Sequence, residues 1–521
     1  MKRFSLFLAT VFVSCSLLTT AQTMSTITVN SSGGKDTISR FIYGQFSEHL
    51  GRCIYGGIWV GENSDIPNTR GIRNDIVQAL RAIKVPSVRW PGGCFADEYH
   101  WMDGIGPRDK RPKMVNSNWG GVVEDNSFGT HEFMDFCEQV GCEPVICGNI
   151  GSGSVQEMHD WVDYLTSDGD NPMANLRRKN GREKPWNVKF FCVGNETWGC
   201  GGIMSAEFYA NELARYSWFL KNRNGNALYK IASGGLEEDY HWTETLMKKW
   251  SEADGWLQTF MNGYSLHYYT VCHDWDHKGS ATDFTEHDWF LTMSKTMKMK
   301  KLVENHSAIM DKYDPQKKIG LCVDEWGNWH DVEPGTNPGF LYQQNTLRDA
   351  MVAAVNLNIF NNHCDRVKLT SIAQMVNVLQ AMILTKGKEM VLTPTYYVFK
   401  MYTVHHDAQL LPIQIHSAEY TDGNDSIPAV SVSASKDQNG AIHISLANID
   451  PEHTQKIQCS MDGIAATSIT GTIITADSMN ALNDFGKEEE VAIKKFYGAS
   501  LFKGAVSLVL PAKSIVTLEI K

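Results

Sequence analysis

The sequence predicts an α/β fold: a (β/α)8 TIM barrel followed by a C-terminal all-β sandwich. Three observations lead there. Eight short apolar runs alternate with amphipathic helical stretches between about residues 40 and 375. No Gly-rich dinucleotide turn follows any of them, which favours a closed barrel over a doubly wound sheet. From about residue 395 the texture changes to strict alternation of apolar and polar residues, with an Asn-Gly turn between two such runs.

The eight runs are 41–46, 87–90, 143–147, 189–193, 230–233, 264–267, 319–323 and 367–372. Helical stretches lie between them at 72–84, 130–140, 155–165, 206–221, 293–313 and 342–360. In the first, Ile72, Ile76, Leu80 and Ile83 recur at helical spacing. Past residue 395, Val430, Val432 and Ala434 alternate with polar residues, Asn439-Gly440 turns the chain, and Ile442, Ile444 and Leu446 continue. The expected division is a leader over 1–21, a strand segment over 22–39 joining the sandwich, the barrel over 40–394 and the sandwich over 395–521.

Composition bounds the function. The chain has 521 residues, 42% hydrophobic and 21% charged, with net charge −11 and pI near 5.9. No basic patch stands out, so nucleic acid is not expected as a partner. The fifteen Trp suit sugar stacking. Twelve Cys at irregular spacing are not a disulfide framework; Cys147, Cys192 and Cys322 sit in apolar runs and read as buried free thiols. His267, His273, His277 and His287 share one polar region and read as solvated loop histidines, so no metal or cofactor is expected.

The N-terminus runs Met1-Lys2-Arg3, an apolar run over 4–13, then small and polar residues to Ala21. That order is a secretory leader, predicting a secreted or periplasmic protein. A lipid anchor at Cys15 is disfavoured by Phe12.

Function is read from the polar residues at the end of each run. Barrel active sites are built from groups at the strand C-termini. Glu48 lies just past the first run, and the second ends in Arg89. Asn195 and Glu196 lie just past the fourth. The sixth yields His267 and Tyr269, the seventh Glu325, and past the eighth stands Gln374. One such charge is commonly incidental; six in register converge on one mouth. Two strand-end carboxylates, Glu196 and Glu325, are what glycoside hydrolysis requires. A carboxyl separation of about 5–5.5 Å would mean a covalent, retaining mechanism. His267 is grouped with the substrate-binding residues by its place in the mouth.

The chain resembles the α-L-arabinofuranosidases of glycoside hydrolase family 51. The matching stretches are IYGQFSEHLGRCIYGG (42–57), VRWPGGCF (88–95), YHWMDGIGP (99–107), VGNETWG (193–199), SLHYY (265–269), VDEW (323–326) and IAQMVN (372–377). The resemblance implies Glu196 as acid/base and Glu325 as nucleophile. It implies Glu48, Arg89, Asn195, Tyr269 and Gln374 as binders of the arabinose ring, with Trp101 and Trp329 near the sugar entrance. Some members carry Asn where this chain has Cys94; a thiol lacks the amide's two hydrogen-bonding ends, which alters the contact expected there. The resemblance also implies a metal-free enzyme and a homo-oligomer, commonly a hexamer. The activity implied is release of terminal arabinofuranosyl groups from arabinoxylan, arabinan or their oligosaccharides. The rivals are another retaining barrel glycosidase, a β-xylosidase or endoglucanase, and a non-catalytic carbohydrate-binding protein.

Overall fold

The computed structural model describes residues 24–30, 33–462, 466–502 and 505–521. The expected leader over 1–21 lies outside the described residues.

Eight parallel strands close into a barrel in chain order: β1 (Gly44–Phe46), β2 (Ser87–Trp90), β3 (Glu143–Gly148), β4 (Phe190–Val193), β5 (Tyr229–Ala232), β6 (Gly263–Thr270), β7 (Gly320–Asn328) and β8 (Val367–Ile372). Ser371 and Ile372 pair with Gly44 and Gln45, which shuts the ring. The barrel interior is filled by Ala96, Val145, Cys147, Phe190, Cys192, Ile231, Cys322 and Leu369, all buried. Val145 and Cys147, two apart on β3, point inward together, as do Phe190 and Cys192 on β4. Cys147, Cys192 and Cys322 are free thiols used as small apolar filling.

The first apolar run begins as a short 3-10 turn, Arg40–Tyr43, in which the Ser39 side chain accepts from Phe41 N; only its last residues are strand. The long helix Glu286–Tyr313 starts before the expected 293, because Thr285 and Asp288 form a capping box at its N-terminus. β7 runs five residues past the expected 323, and this extension matters for the site.

Helix Leu347–Asn362 is buried along nearly its whole length, between the barrel and the sandwich. That position explains its run of Ala, Val, Leu and Ile. On its sandwich side Asn358 and Asn361 donate to Ser431 and Ser433. The helix after β8, Pro394–Tyr402, crosses the boundary expected at 394; its Tyr396 hydroxyl donates to Ala79 O of the helix Asn74–Ala82.

The C-terminal region is two antiparallel-rich sheets of five and six strands. Val430–Lys436 and Ile442–Asn448 form the hairpin turned at Asn439-Gly440, with Gly440 at φ +86°. Ser25–Asn30 lies in the five-stranded sheet, parallel to Gln455–Asp462 and antiparallel to Ile413–His416.

Candidate active site

The strand C-termini bring Glu196 and Glu325 together. A carboxylate oxygen of each, with a ring nitrogen of His267, lies within 4.8 Å of the others. Glu325 sits inside β7. Arg89 Nη1 donates to its Oε1 at 2.7 Å and the Tyr269 hydroxyl to its Oε2 at 2.8 Å. Glu196 sits on the loop after β4, where His267 Nδ1 meets its Oε1 at 2.9 Å. Glu196 has φ +38°, a left-handed backbone that a non-glycine residue holds at a cost of about 1–3 kcal/mol. Its carbonyl accepts from Gly199 N and Gly201 N, which fixes that turn.

A register break aims the nucleophile side. His267 of β6 pairs with Glu325 of β7, but Ser265 pairs with Cys322, so β7 carries one extra residue between them. Such a bulge re-aims side chains beside active sites. Here it lets the neighbours Asp324 and Glu325 both reach the His267 and Arg89 side chains: Asp324 is 3.4 Å from His267 Nε2 and 3.6 Å from Arg89 Nε. The Ser265 hydroxyl donates to Asp324 as well.

Arg89 ties the site across the barrel. One nitrogen bonds Glu325, another the Asn195 side-chain oxygen at 2.6 Å, and the guanidinium lies over the Phe46 ring. Glu48 is held by four donors: Gly93 N, Phe95 N and Trp119 Nε1 on one oxygen, and Gln374 Nε2 on the other. Gly92-Gly93 therefore lets backbone approach carboxylates; a Cβ on Gly93 would come within 2.9 Å of Glu325 Oε1.

The electrostatics arise from burial and crowding. Burial disfavours charge on His267, but Glu325, Asp324 and Glu196 outweigh it and raise its pKa well above the usual imidazole value. Burial also opposes ionisation of Asp324, yet His267 and Arg89 hold it below the usual carboxylate range. Burial, reinforced by the Glu325 charge, pushes Glu48 up to about 7. Tyr269 is raised by burial and by Glu325, so its phenol stays a donor.

Of the sequence-predicted residues, Glu48, Arg89, Asn195, Glu196, His267, Tyr269, Glu325 and Gln374 form one connected cluster. Trp329 is half-buried beside it, edge-on to Tyr269 at 5.0 Å. Trp101 does not join them: it is 1% exposed, stacks on Trp161 with rings 2° from parallel, and donates to Glu157 O. Its apolar neighbours make it a core residue. Cys94 is corrected too. It is bonded to Cys200 in a disulfide, so no thiol faces the sugar side. Sequence reading missed Asp97, Asp324, Trp119 and Cys200. Asp97 accepts from Asn195 N, Ile150 N and Gly151 N; the exposed Trp275 extends the aromatic edge past Trp329.

Three groupings among the described residues have metal-ligand spacing. In Cys94, Glu196 and Cys200 both sulfurs are taken up by the disulfide. In Glu196, His267 and Glu325 the Glu325 oxygens are already held by Arg89 and Tyr269. In Cys272, His273 and Asp288 the aspartate caps a helix. In each, donor atoms already have partners within the protein.

Two family models match the chain: the α-L-arabinofuranosidase 1 domain over residues 79–284 and the α-L-arabinofuranosidase C-terminal domain over 324–514. The second begins inside β7, one residue before Glu325. A family 51 arabinofuranosidase structure from Xanthomonas axonopodis pv. citri superposes with TM-score 0.93 at 48% identity, covering 96% of this chain and 100% of that one. The α-L-arabinofuranosidase of Thermotoga maritima, solved as an arabinose complex, gives 0.80 at 30% identity, over 95% and 99%. A protein of Bacteroides ovatus is 54% identical over 99% of both chains and is named an intracellular exo-α-L-arabinofuranosidase. That name overturns the expectation of secretion. The leader reading rested on the order of charge and hydropathy alone, and this relative, matched over almost its full length, is placed inside the cell. The chain belongs to glycoside hydrolase family 51, the α-L-arabinofuranosidases.

Proposed function

We propose that this glycoside hydrolase removes terminal α-L-arabinofuranosyl groups by double displacement with retention. The carrying observation is the pair of carboxylates whose oxygens lie within 4.8 Å. That spacing suits direct attack and leaves no room for the water an inverting enzyme places between its acids. Glu325, held by Arg89 and Tyr269, attacks the anomeric carbon while Glu196 protonates the leaving oxygen; Glu196 then activates water against the glycosyl-enzyme. Glu48, Asn195 and Gln374 bind the ring hydroxyls. Gln374 Oε1 is buried with no hydrogen-bond partner among the described residues and is suited to accept from one of them. His267, charged between both acids and Asp324, steadies Glu196 whenever it is ionised. Trp329 and Trp275 offer faces to the group being cleaved off.

The intracellular name of the Bacteroides relative favours arabino-oligosaccharides over intact arabinan or arabinoxylan. Assembly into a homo-oligomer, a hexamer by the family resemblance, is a separate proposal tested by light scattering. The central test is proton NMR of hydrolysis of 4-nitrophenyl α-L-arabinofuranoside beside the matching xyloside. Retention means that the α-anomer of arabinose appears first. A β-anomer first, or faster release from the xyloside, would sink the reading.

A further inference from the structure

We propose that the Cys94–Cys200 disulfide is a thiol-sensitive clasp that positions the acid/base loop, an inference that rests on the reading of Glu196 as acid/base. The bridge spans 106 residues of chain and joins the loop after β2 to the loop after β4. Its Cys94 end is well anchored. The flanking amides of Gly93 and Phe95 both donate to the buried Glu48 carboxylate, and Asn118 donates to Cys94 O. Its Cys200 end is exposed and lies beside the chemistry: the sulfur is 3.7 Å from Glu196 Oε2, and Asn195 Nδ2 donates to it at 3.8 Å.

The sequence of the acid/base loop explains why a clasp matters there. Residues 199–202 read Gly-Cys-Gly-Gly, so Cys200 is the only side chain in that stretch. Gly201 leaves no room for one, since a Cβ would lie 2.0 Å from Asn195 O, and Gly202 has φ +129°. A glycine-rich segment has the most backbone freedom to lose, and its one covalent restraint is this bridge. The remaining hydrogen bonds toward this side run through Asn195: Asp97, on the loop after β2, takes its amide, and Arg89, inside β2, its side chain. Neither hydrogen bond reaches past Glu196; beyond it the Asp97 carboxylate only packs against Gly201, whose Cβ would lie 2.8 Å from Asp97 Oδ2. Opening the bridge therefore loosens the segment on which the Glu196 turn closes, while Glu325, inside β7, is untouched.

Exposure of Cys200 makes the bridge reachable, and disulfides in thiol-rich compartments are characteristically catalytic or redox-sensing. The reaction balances with a dithiol. One thiolate of dithiothreitol attacks a bridge sulfur, and its second thiol resolves the mixed disulfide. Cys94 and Cys200 leave as two thiols, the reagent as a cyclic disulfide, with two electrons and two protons transferred.

The test compares the oxidised full-length chain before and after dithiothreitol, with the gain of two thiols verified by titration of the denatured protein. The substrates are 4-nitrophenyl and benzyl α-L-arabinofuranoside, whose leaving groups need little and much protonation. Reduction should lower kcat/KM about tenfold for the benzyl substrate and less than about twofold for the nitrophenyl one, a fraction of what general acid catalysis contributes. The basic limb of the pH profile should move and the acidic limb stay. Cys200→Ser should begin at the reduced value and ignore the reagent. No change after verified opening, or an equal fall for both substrates with a lowered Tm, would overturn the clasp. Glu196→Ala separates the two claims. If it fails to steepen the dependence on leaving group and azide restores nothing, the acid/base reading falls and the clasp with it. If it behaves as acid/base while reduction changes nothing, the clasp alone falls.

Discussion

Glu325 and Glu196 face each other across one sugar-sized gap, yet the protein holds them by opposite means. The Glu325 side chain is 7% exposed, built into a strand and bonded by Arg89 and Tyr269. The Glu196 side chain is 21% exposed, on a glycine-rich loop with a left-handed backbone. A nucleophile has to be ionised and motionless at one point of attack, which strand geometry and fixed donors supply. An acid/base has to give a proton, take one from water and let the leaving group depart, which needs access. The barrel thus delivers precision to one acid and access to the other, and their partners differ accordingly.

The sharpest break of that comparison is Glu325→Ala. Removing the nucleophile should cut kcat/KM on 4-nitrophenyl α-L-arabinofuranoside by on the order of 10^5-fold; turnover near that of the wild type would end its assignment. Glu196→Ala should be milder, about 10²–10⁴-fold on a benzyl arabinofuranoside and less on the nitrophenyl one, with azide restoring turnover of the latter. A smaller effect sharpens the rigid side alone. In Gly93→Ala the new methyl must displace the Glu325 carboxylate, whose oxygen lies 2.9 Å from that Cβ. A misplacement approaching 1 Å costs up to roughly 100-fold in kcat. Glu196-dependent leaving-group sensitivity should stay as it was; a change in that sensitivity would show that the two halves of the site are not separately held.

Both acids were legible in the sequence as polar residues past apolar runs, while the contacts that hold them were not. Apolar runs that end in polar residues locate barrel strands, because burial on both faces forces continuous hydrophobicity and the mouth ends it. Eight of them, with Glu325 past the seventh, were readable at once. The bulge in β7 was not: one extra residue shifts register without changing composition, so Asp324 reads as a neighbour of the nucleophile and not as its companion. Asp97 and Trp119 sit in irregular segments where no period marks direction. The Cys94–Cys200 pair was unreadable among twelve irregularly spaced cysteines, since a bridge across 106 residues is set by where two loops meet in space. Trp101 erred the other way, because a tryptophan in a matching motif carries no sign of which way its ring points.

The two aspartates that brace these halves titrate in opposite directions. Asp97 braces the acid/base loop through Asn195 N; burial pushes it up to about 7 although three backbone amides hold its charged form. Asp324 braces the nucleophile side and is held below the usual carboxylate range by His267 and Arg89 against the pull of burial. A group whose pKa rises on folding stabilises fully below its unfolded value, near 3.8, and loses that contribution as pH climbs to about 7. A group whose pKa falls on folding stabilises above its unfolded value and loses that as pH drops through the folded one. The Asp97 component is roughly 4 kcal/mol at most, from a shift of about three units at 1.36 kcal/mol each. Thermal unfolding of the wild type should therefore lose a few degrees between about pH 4.5 and pH 7.5 through Asp97, in parallel with the smaller rise at Glu48. Asp97→Asn should flatten that slope while lowering Tm throughout, since an amide cannot accept from all three backbone donors. Asp324→Asn should leave the slope and weaken the protein most above pH 4, where the charged form pairs with His267 and Arg89. Equal slopes in the wild type and Asp97→Asn would mean that the carboxylate beneath the acid/base loop stays ionised across that range, and that the two braces do not differ in sign.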